Sequence, residues 1–85
     1  MKKVKFTGEY ITLGQFLKKV DLIDSGSDAK HFLSTQYVYV NDEEENRRGK
    51  KLRDQDRVKI GKDSWILIHE DWAIVINTFQ EYWKS

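Results

Sequence analysis

The chain has 85 residues, of which 34% are charged and 39% hydrophobic, and its formal net charge is +1. A chain of this length forms one small domain that buries roughly 60–65% of its unfolded surface. It contains no Cys, which excludes disulfides, thiolate metal sites and Cys nucleophiles. No apolar run approaches the ~18–20 residues of a membrane span, and no signal-peptide apolar region follows the basic start. We therefore expect a cytoplasmic protein with a single domain over residues 1–85.

The first half of the chain predicts an edge strand and a first helix. Lys3–Thr7 alternates weakly between polar and apolar residues, which is typical of an edge strand. Thr12 followed by Gln15 has the form of a capping box, which marks a helix start. The apolar residues after it recur at helical spacing and form one stripe: Leu13, Phe16, Leu17 and Val20.

A second short helix is predicted over Ser27–Ser34. Asp24-Ser25-Gly26 forms a tight connection from the first helix, and Ser27 is the expected N-cap. Asp28 would lie in the first turn, where a negative charge is favourable. Two short helices joined in this way form a helix-turn-helix arrangement, which many small domains contain.

Three strands and a charged loop follow. Tyr37–Val40 alternates with period two, so Val38 and Val40 should face the core. Arg57–Ile60 and Trp65–Ile68 are the next two predicted strands, with Trp65 in the core. Near the end of the chain, apolar residues at helical spacing predict a helix over about residues 71–84, although Ala73–Ile76 is also compatible with a strand.

The loop between the first two strands carries the main functional signal. Five of the eight residues from 46 to 53 are Lys or Arg, and we call residues 46–53 the basic loop. Such a cluster binds phosphate through its local field, whatever the net charge of the chain. The alternative is a solvated loop whose cations pair with the acidic residues 42–45 across a hairpin. Tyr37 and Tyr39 either stack on unpaired bases or pack against a neighbouring element.

The remaining polar residues do not suggest catalysis. His31 and His69 are isolated, and no second His stands at metal-ligand spacing from His69. The sequence has no Gly-rich phosphate loop and no nucleophile elbow. Residues 42–45 are expected to form a solvated turn, and Asp54 and Asp56 a structural turn. We therefore expect no enzyme activity, no metal and no cofactor.

Several motifs together identify a family. Ser27–Lys30 opens the second helix, Tyr39-Val40-Asn41 ends a strand, and Leu52 precedes Asp56–Ile60. With these motifs the chain resembles the S-four RNA-binding domain over roughly residues 11–68. Residues 11–17 and 46–52 are similar to the small stand-alone YaaA-like members of that family.

Two positions depart from the family pattern. Many members carry Arg just before the Ser that opens the second helix, where this chain has Gly26. Lys30 must then carry more of the RNA contact that this Arg makes. The usual Gly of the turn before the second strand is replaced by Gln55, which would be strained if the turn needs a positive φ. Residues 70–85 extend beyond the resemblance.

The resemblance implies an α+β fold in which two short helices pack on a small, mainly antiparallel sheet, the alpha-L RNA-binding motif. It also implies binding to structured RNA, above all ribosomal RNA or a ribosome assembly intermediate, by a monomer that meets ribosomal or assembly proteins. Carried over by position, the RNA-binding face consists of Lys18, Lys19, Ser27, Lys30, Arg47, Arg48, Lys50, Lys51 and Arg53. The alternative function is a protein-interaction adaptor that uses the aromatic C-terminal segment. Duplex DNA binding by the helix pair is a weaker third possibility.

Overall fold

A computed structural model of the protein describes residues 1–70, which form two helices and seven strands. The helices are α1 (Leu13–Lys19) and α2 (Asp28–Thr35). The strands are β1 (Lys2–Phe6), β2 (Ile11–Thr12), β3 (Val38–Val40), β4 (Glu43–Glu44), β5 (Lys51–Leu52), β6 (Arg57–Ile60) and β7 (Asp63–His69). The predicted helix over residues 71–84, and the aromatic segment of the adaptor alternative, lie outside the described residues.

The strands form a mainly antiparallel sheet, as predicted. Its order is β1-β7-β6-β3-β4, in which β1 pairs with β7 in parallel and every other pair is antiparallel. β1 therefore lies at an edge of the sheet, as its weak alternation predicted. A separate two-stranded sheet joins β2 to β5 and ties the start of α1 to the end of the basic loop. The expected α+β fold is confirmed.

The core forms where the apolar faces of the helices meet the sheet. Phe16 and Trp65 pack edge to face with ring centroids 5.6 Å apart, which is a favourable aromatic geometry. Trp65 is buried, as predicted for this strand. The other fully buried large side chains come from α1, β3, β5, β6 and β7: Leu13, Leu17, Leu52, Leu67, Val38 and Val58. Tyr37 and Tyr39 are exposed, so the period-two alternation of this segment was interpreted correctly.

The two helix starts differ in how they are capped. Thr12 caps α1 as predicted, since its hydroxyl accepts the Gln15 N–H and the Gln15 side chain accepts the Thr12 N–H. Ser27 occupies the N-cap position of α2 but makes no capping bond, so that part of the prediction was wrong. Its backbone is helical, and its hydroxyl lies 2.9 Å from the hydroxyl of Ser25 instead.

Three two-residue strands were not predicted from the sequence. β2, β4 and β5 are too short to show a periodicity. β4 corrects the expectation that residues 42–45 form a solvated turn, because Glu43–Glu44 pairs with β3. The turn itself is Asn41-Asp42, with φ values of 52° and 70°. Positive φ at both central residues is the geometry of a type I′ hairpin turn, which Asn and Asp tolerate.

Neither helix in residues 1–70 has the length and apolar composition needed to span a membrane.

Candidate nucleic-acid interface

The basic loop is held on the N-terminal end of α1 by backbone hydrogen bonds. The Leu13 N–H donates to the Lys50 carbonyl (2.8 Å), and the Gly14 N–H donates to the Arg48 carbonyl (2.9 Å). The first N–H groups of a helix have no partner within the helix, and here the loop supplies those partners. A turn within the loop, in which the Lys50 N–H donates to the Arg47 carbonyl, brings the two accepting carbonyls to the helix. The backbone of the loop is therefore fixed relative to α1.

Gly14 lets the basic loop and α2 approach the same point of α1. A β-carbon at this position would lie 3.4 Å from the Arg48 carbonyl oxygen and 3.6 Å from the Ala29 β-carbon. These are close contacts for a β-carbon, and further atoms added between the two neighbours would have to displace one of them. Lys30, which is exposed, follows the buried Ala29 in the first turn of α2. The fold thus brings together the elements that carry Arg48 and Lys30.

Arg47 is held by a carboxylate of its own segment. Its Nε and Nη2 donate to the two oxygens of Glu45 at 3.0 and 3.1 Å, and its backbone N–H donates to one of them at 3.1 Å. The Glu45 side chain is only 11% exposed, and its backbone N–H donates to the Val38 carbonyl. The hydrogen bonds from Arg47 hold the pKa of Glu45 below its ordinary value. A loop cation thus pairs with one of the acidic residues 42–45, but the two are neighbours in the chain and do not lie opposite each other in a hairpin.

The other loop cations are less engaged. Arg53 makes a long ion pair of 3.7 Å with Glu9, and both side chains are largely exposed. Among residues 1–70, no carboxylate lies within ion-pair distance of Arg48, Lys50 or Lys51. A shallow surface depression is lined by Arg47, Gly49, Lys50, Lys51 and Arg53. Three of the five loop cations therefore have no carboxylate partner among residues 1–70, and this local excess of positive charge suits an extended anionic ligand.

The turn that follows the basic loop is fixed by carboxylate and amide side chains. Asp56 accepts the Arg53 N–H at 2.7 Å and the Asn41 side-chain N–H at 3.0 Å. The Asn41 side-chain oxygen accepts the Arg57 N–H at 2.9 Å. Asn41 and Asp56 are motif residues of the resemblance, and the structure gives them a structural role. Asp54, which accepts the His69 N–H, is likewise structural, as predicted.

Gln55 has the positive φ at which the sequence analysis predicts strain for a residue other than Gly. Its φ is 71°, in the left-handed region where a β-carbon is unfavourable. Its N–H donates to the Leu67 carbonyl at 2.8 Å, so the conformation is held by a bond to β7. The turn keeps the geometry that Gly usually supplies in this family.

The predicted site residues on the helices do not all join the basic loop. Lys18 and Lys19 are exposed at the C-terminal end of α1, whereas the loop contacts its N-terminal end. Lys19 lines a second depression together with Lys3, Lys5 and Glu70. Ser27 faces Ser25, and the first two N–H groups of α2 already donate to the carbonyls of residues 25 and 26. Those two donors are therefore engaged within the protein.

Tyr10 lies beside the basic loop, although the sequence did not predict it as a site residue. The Lys51 Nζ lies 4.9 Å from the centre of the Tyr10 ring, and the Arg53 guanidinium carbon lies 5.9 Å from it. Tyr10 precedes β2, and only the pairing of β2 with β5 brings it beside the loop. Because both strands have two residues, no sequence pattern revealed this neighbourhood.

Within the part of the chain that the structure describes, no group of three or more His, Asp or Glu side chains is placed to hold a metal ion. Two acidic residues near the basic loop contact cations instead. Asp42 pairs with Arg57 at 3.7 Å, and Glu45 pairs with Arg47.

Comparison with known proteins agrees with this geometry. The family model of the S4 domain matches residues 4–68. This is the S-four domain that the sequence motifs resemble. A protein of Bacillus subtilis (strain 168) named "Probable ribosome maturation protein RlbA" is 62% identical over 52 residues, which are 61% of this chain and 73% of that protein. The family resemblance is thereby confirmed, and the chain belongs to the S4 domain family.

Proposed function

We propose that the protein binds structured RNA without catalysing a reaction, and that its target is ribosomal RNA in a maturing ribosome. The observation that carries the proposal is the basic loop, whose backbone is held by α1 while Arg48, Lys50 and Lys51 have no carboxylate partner among residues 1–70. Cations on a fixed backbone match the fixed phosphate spacing of a folded RNA. They also lose less conformational freedom on binding than cations on a mobile segment.

Family membership and the relative's name support the choice of target. The S4 family pattern is a pair of helices beside a strand–loop–strand unit, and this chain has both parts. The relative's name refers to ribosome maturation, and we extend that setting to this protein. A role in ribosome maturation would place the protein in the cytoplasm.

Recognition should depend mainly on shape and phosphate position. The major groove of an A-form helix is too deep and narrow for side chains to read its bases. The cations of the loop would therefore contact phosphates on neighbouring strands or turns of the RNA. If about three to five phosphates are neutralised, the logarithm of the affinity should fall against the logarithm of salt concentration with a slope of about −2.7 to −4.5.

Fluorescence-anisotropy titration tests the proposal. The purified protein is titrated against structured ribosomal RNA fragments, single-stranded RNA and duplex DNA at several salt concentrations. We expect tighter binding to the structured RNA and a salt slope of a few units. Equal, weak binding to all three nucleic acids would contradict the proposal, because it would indicate only generic attraction between charges.

A further inference from the structure

Beside the loop cations, Tyr10 presents an aromatic ring to solvent. The residue is 39% exposed. Its neighbour Ile11 is buried and pairs with Leu52 of β5. Because side chains alternate across a strand, Tyr10 projects to the side opposite Ile11.

The same alternation places the cations of the loop on this side. Lys51 pairs with Thr12 in the ladder, and Arg53 lies two residues further along, whereas Leu52 between them is fully buried. The measured distances agree, since both cations lie within 6 Å of the ring centre. Tyr10 is thus a partly exposed aromatic ring over which two phosphate-binding candidates lie.

We propose that Tyr10 is a stacking platform for an unpaired base of the bound RNA, and that Lys51 and Arg53 turn from the ring to the phosphates on either side of that nucleotide. This inference rests on the proposed RNA-binding function and adds the kind of nucleotide that is recognised. Base–aromatic stacking tolerates any base because every base has a π face. The protein would therefore prefer RNA with a bulge or an open end over a continuous duplex.

The alternative role for Tyr10 is to position the two cations through contacts with their side chains. The two roles differ in what they do to the charge-dependent part of binding. Stacking contributes an affinity that is independent of salt, whereas displaced cations would reduce the number of phosphates neutralised. Substitutions at Tyr10 therefore separate them.

The test uses two RNA hairpins, one with a fully paired stem and one whose stem also contains a single unpaired adenosine. For the fluorescence measurements, this adenosine is replaced by the analogue 2-aminopurine. Parent protein and the variants Tyr10→Phe and Tyr10→Leu are titrated with both hairpins at several salt concentrations. Phe keeps the aromatic face, and Leu keeps an apolar side chain without it. Circular dichroism and urea unfolding confirm that each variant folds.

We expect the parent to bind the bulged hairpin more tightly and to quench the 2-aminopurine fluorescence. Tyr10→Phe should retain both properties. Tyr10→Leu should lose about 5- to 100-fold in affinity for the bulged hairpin, with the salt slope unchanged and little loss on the paired hairpin.

Three results would overturn the inference while leaving the RNA-binding function standing. They are equal parental affinity for the two hairpins, equal loss on both hairpins in Tyr10→Leu, and a reduced salt slope in that variant. If the parent bound neither these hairpins nor the ribosomal RNA fragments, the proposed function itself would fail, and the inference with it.

Discussion

The two ends of α1 both carry cations, but the protein holds those cations in different ways. At the N-terminal end, the backbone of the basic loop accepts hydrogen bonds from Leu13 and Gly14. At the C-terminal end, Lys18 and Lys19 are exposed, and Lys19 shares a depression with lysines of β1 and with Glu70. We call Lys3, Lys5 and Lys19 the lysine edge. The two clusters carry similar charge on different elements of the fold, and we expect them to differ in RNA binding.

The backbone is held at both ends of α1, because Lys19 lies in the helix and β1 pairs with β7, so the difference lies in the cationic side chains. The lysine edge has only Lys, whose flexible side chain carries a single point charge and loses rotamer freedom on binding. Within the lysine edge, Lys5 also pairs with Glu70 at 3.4 Å. The basic loop adds Arg47 and Arg53 around one depression, and the planar fork of Arg can make two bonds to one phosphate. We therefore expect the basic loop to dominate RNA binding.

The largest expected effect is the loss of RNA affinity when three cations of the basic loop are removed. Arg48→Ala/Lys50→Ala/Lys51→Ala should lower the affinity for structured RNA at least about tenfold and reduce the salt slope by about 2.7, because three phosphate contacts are lost. Lys3→Ala/Lys5→Ala/Lys19→Ala removes the same charge from the lysine edge and serves as the matched control. Anisotropy titrations at several salt concentrations measure both. Equal losses in the two variants would show that only total charge matters.

The next prediction concerns the close approach at Gly14. Gly14→Val should destabilise the protein by about 1–3 kcal/mol, because the branched side chain would push the Arg48 carbonyl away from the helix. Gly14→Ala should change the free energy of unfolding by less than about 1 kcal/mol, since its β-carbon meets the loop at ordinary contact distance. Urea unfolding at neutral pH measures both variants.

Lys18→Val controls for the introduction of a β-branched side chain into α1. It places the same side chain at the exposed, opposite end of α1, where nothing packs against it as closely, and should cost less than about 0.7 kcal/mol. If Gly14→Val cost no more than Lys18→Val, the loop would not depend on the close approach.

A smaller effect is expected at Gln55, whose turn fixes the end of the basic loop. Gln55→Gly should stabilise the protein by about 1 kcal/mol, because Gly adopts a φ of 71° without the steric cost of a β-carbon. RNA affinity should not change, since the bonds of Asp56 to Arg53 and Asn41 remain. Thermal and urea unfolding provide the measurement.

Gln36 offers a matched control for this substitution. Its φ is −122°, which any residue adopts, so Gln36→Gly should only add freedom to the unfolded chain and destabilise slightly. A loss of stability in Gln55→Gly as large as in Gln36→Gly would mean that Gln55 is not strained.

The sequence predicted those parts of the fold that repeat over several residues or use a specific side chain. The capping box of Thr12 and Gln15 located α1, and the alternation of Arg57–Ile60 gave β6 with its observed bounds. The position of the basic loop on α1 could not be predicted from the sequence, because the hydrogen bonds that fix it use backbone N–H and C=O groups, which nearly every residue has. The two-residue strands that bring Tyr10 to the loop are too short for any periodicity.

The separation of the cations was equally hidden from the sequence. The residues Lys18 and Lys19 were assigned to the same face as the basic loop by position in the family. The structure places them at the far end of α1, and which end faces RNA stays a prediction. Pairing of the loop with acidic residues was considered across a hairpin, but Arg47 instead reaches the Glu two positions before it. That contact depends on the backbone path between them.

The smallest expected effect concerns this pair, and it is visible as a dependence on pH. The pKa of Glu45 is lower in the folded protein than its ordinary value of 4.5 because Arg47 donates hydrogen bonds to the carboxylate. A carboxylate with a lowered folded pKa stabilises the protein above its unfolded pKa, and that stabilisation is lost as the pH falls through the folded value. The difference in unfolding free energy between parent and Glu45→Gln should therefore be larger at neutral pH than below pH 4.5. Urea unfolding at several pH values measures it, and Glu43→Gln, at an exposed position on β4, is the control.

The same variant shows whether Arg47 belongs with the dominant cations. Glu45→Gln removes the carboxylate that holds Arg47 and leaves an amide of similar shape, so the guanidinium becomes available to a phosphate. If Arg47 faces the RNA, the salt slope should steepen by up to about 0.9, whereas Glu43→Gln should change it less. An unchanged slope in Glu45→Gln would place Arg47 among the residues that shape the basic loop. The phosphate contacts would then fall to the cations that have no carboxylate partner in residues 1–70.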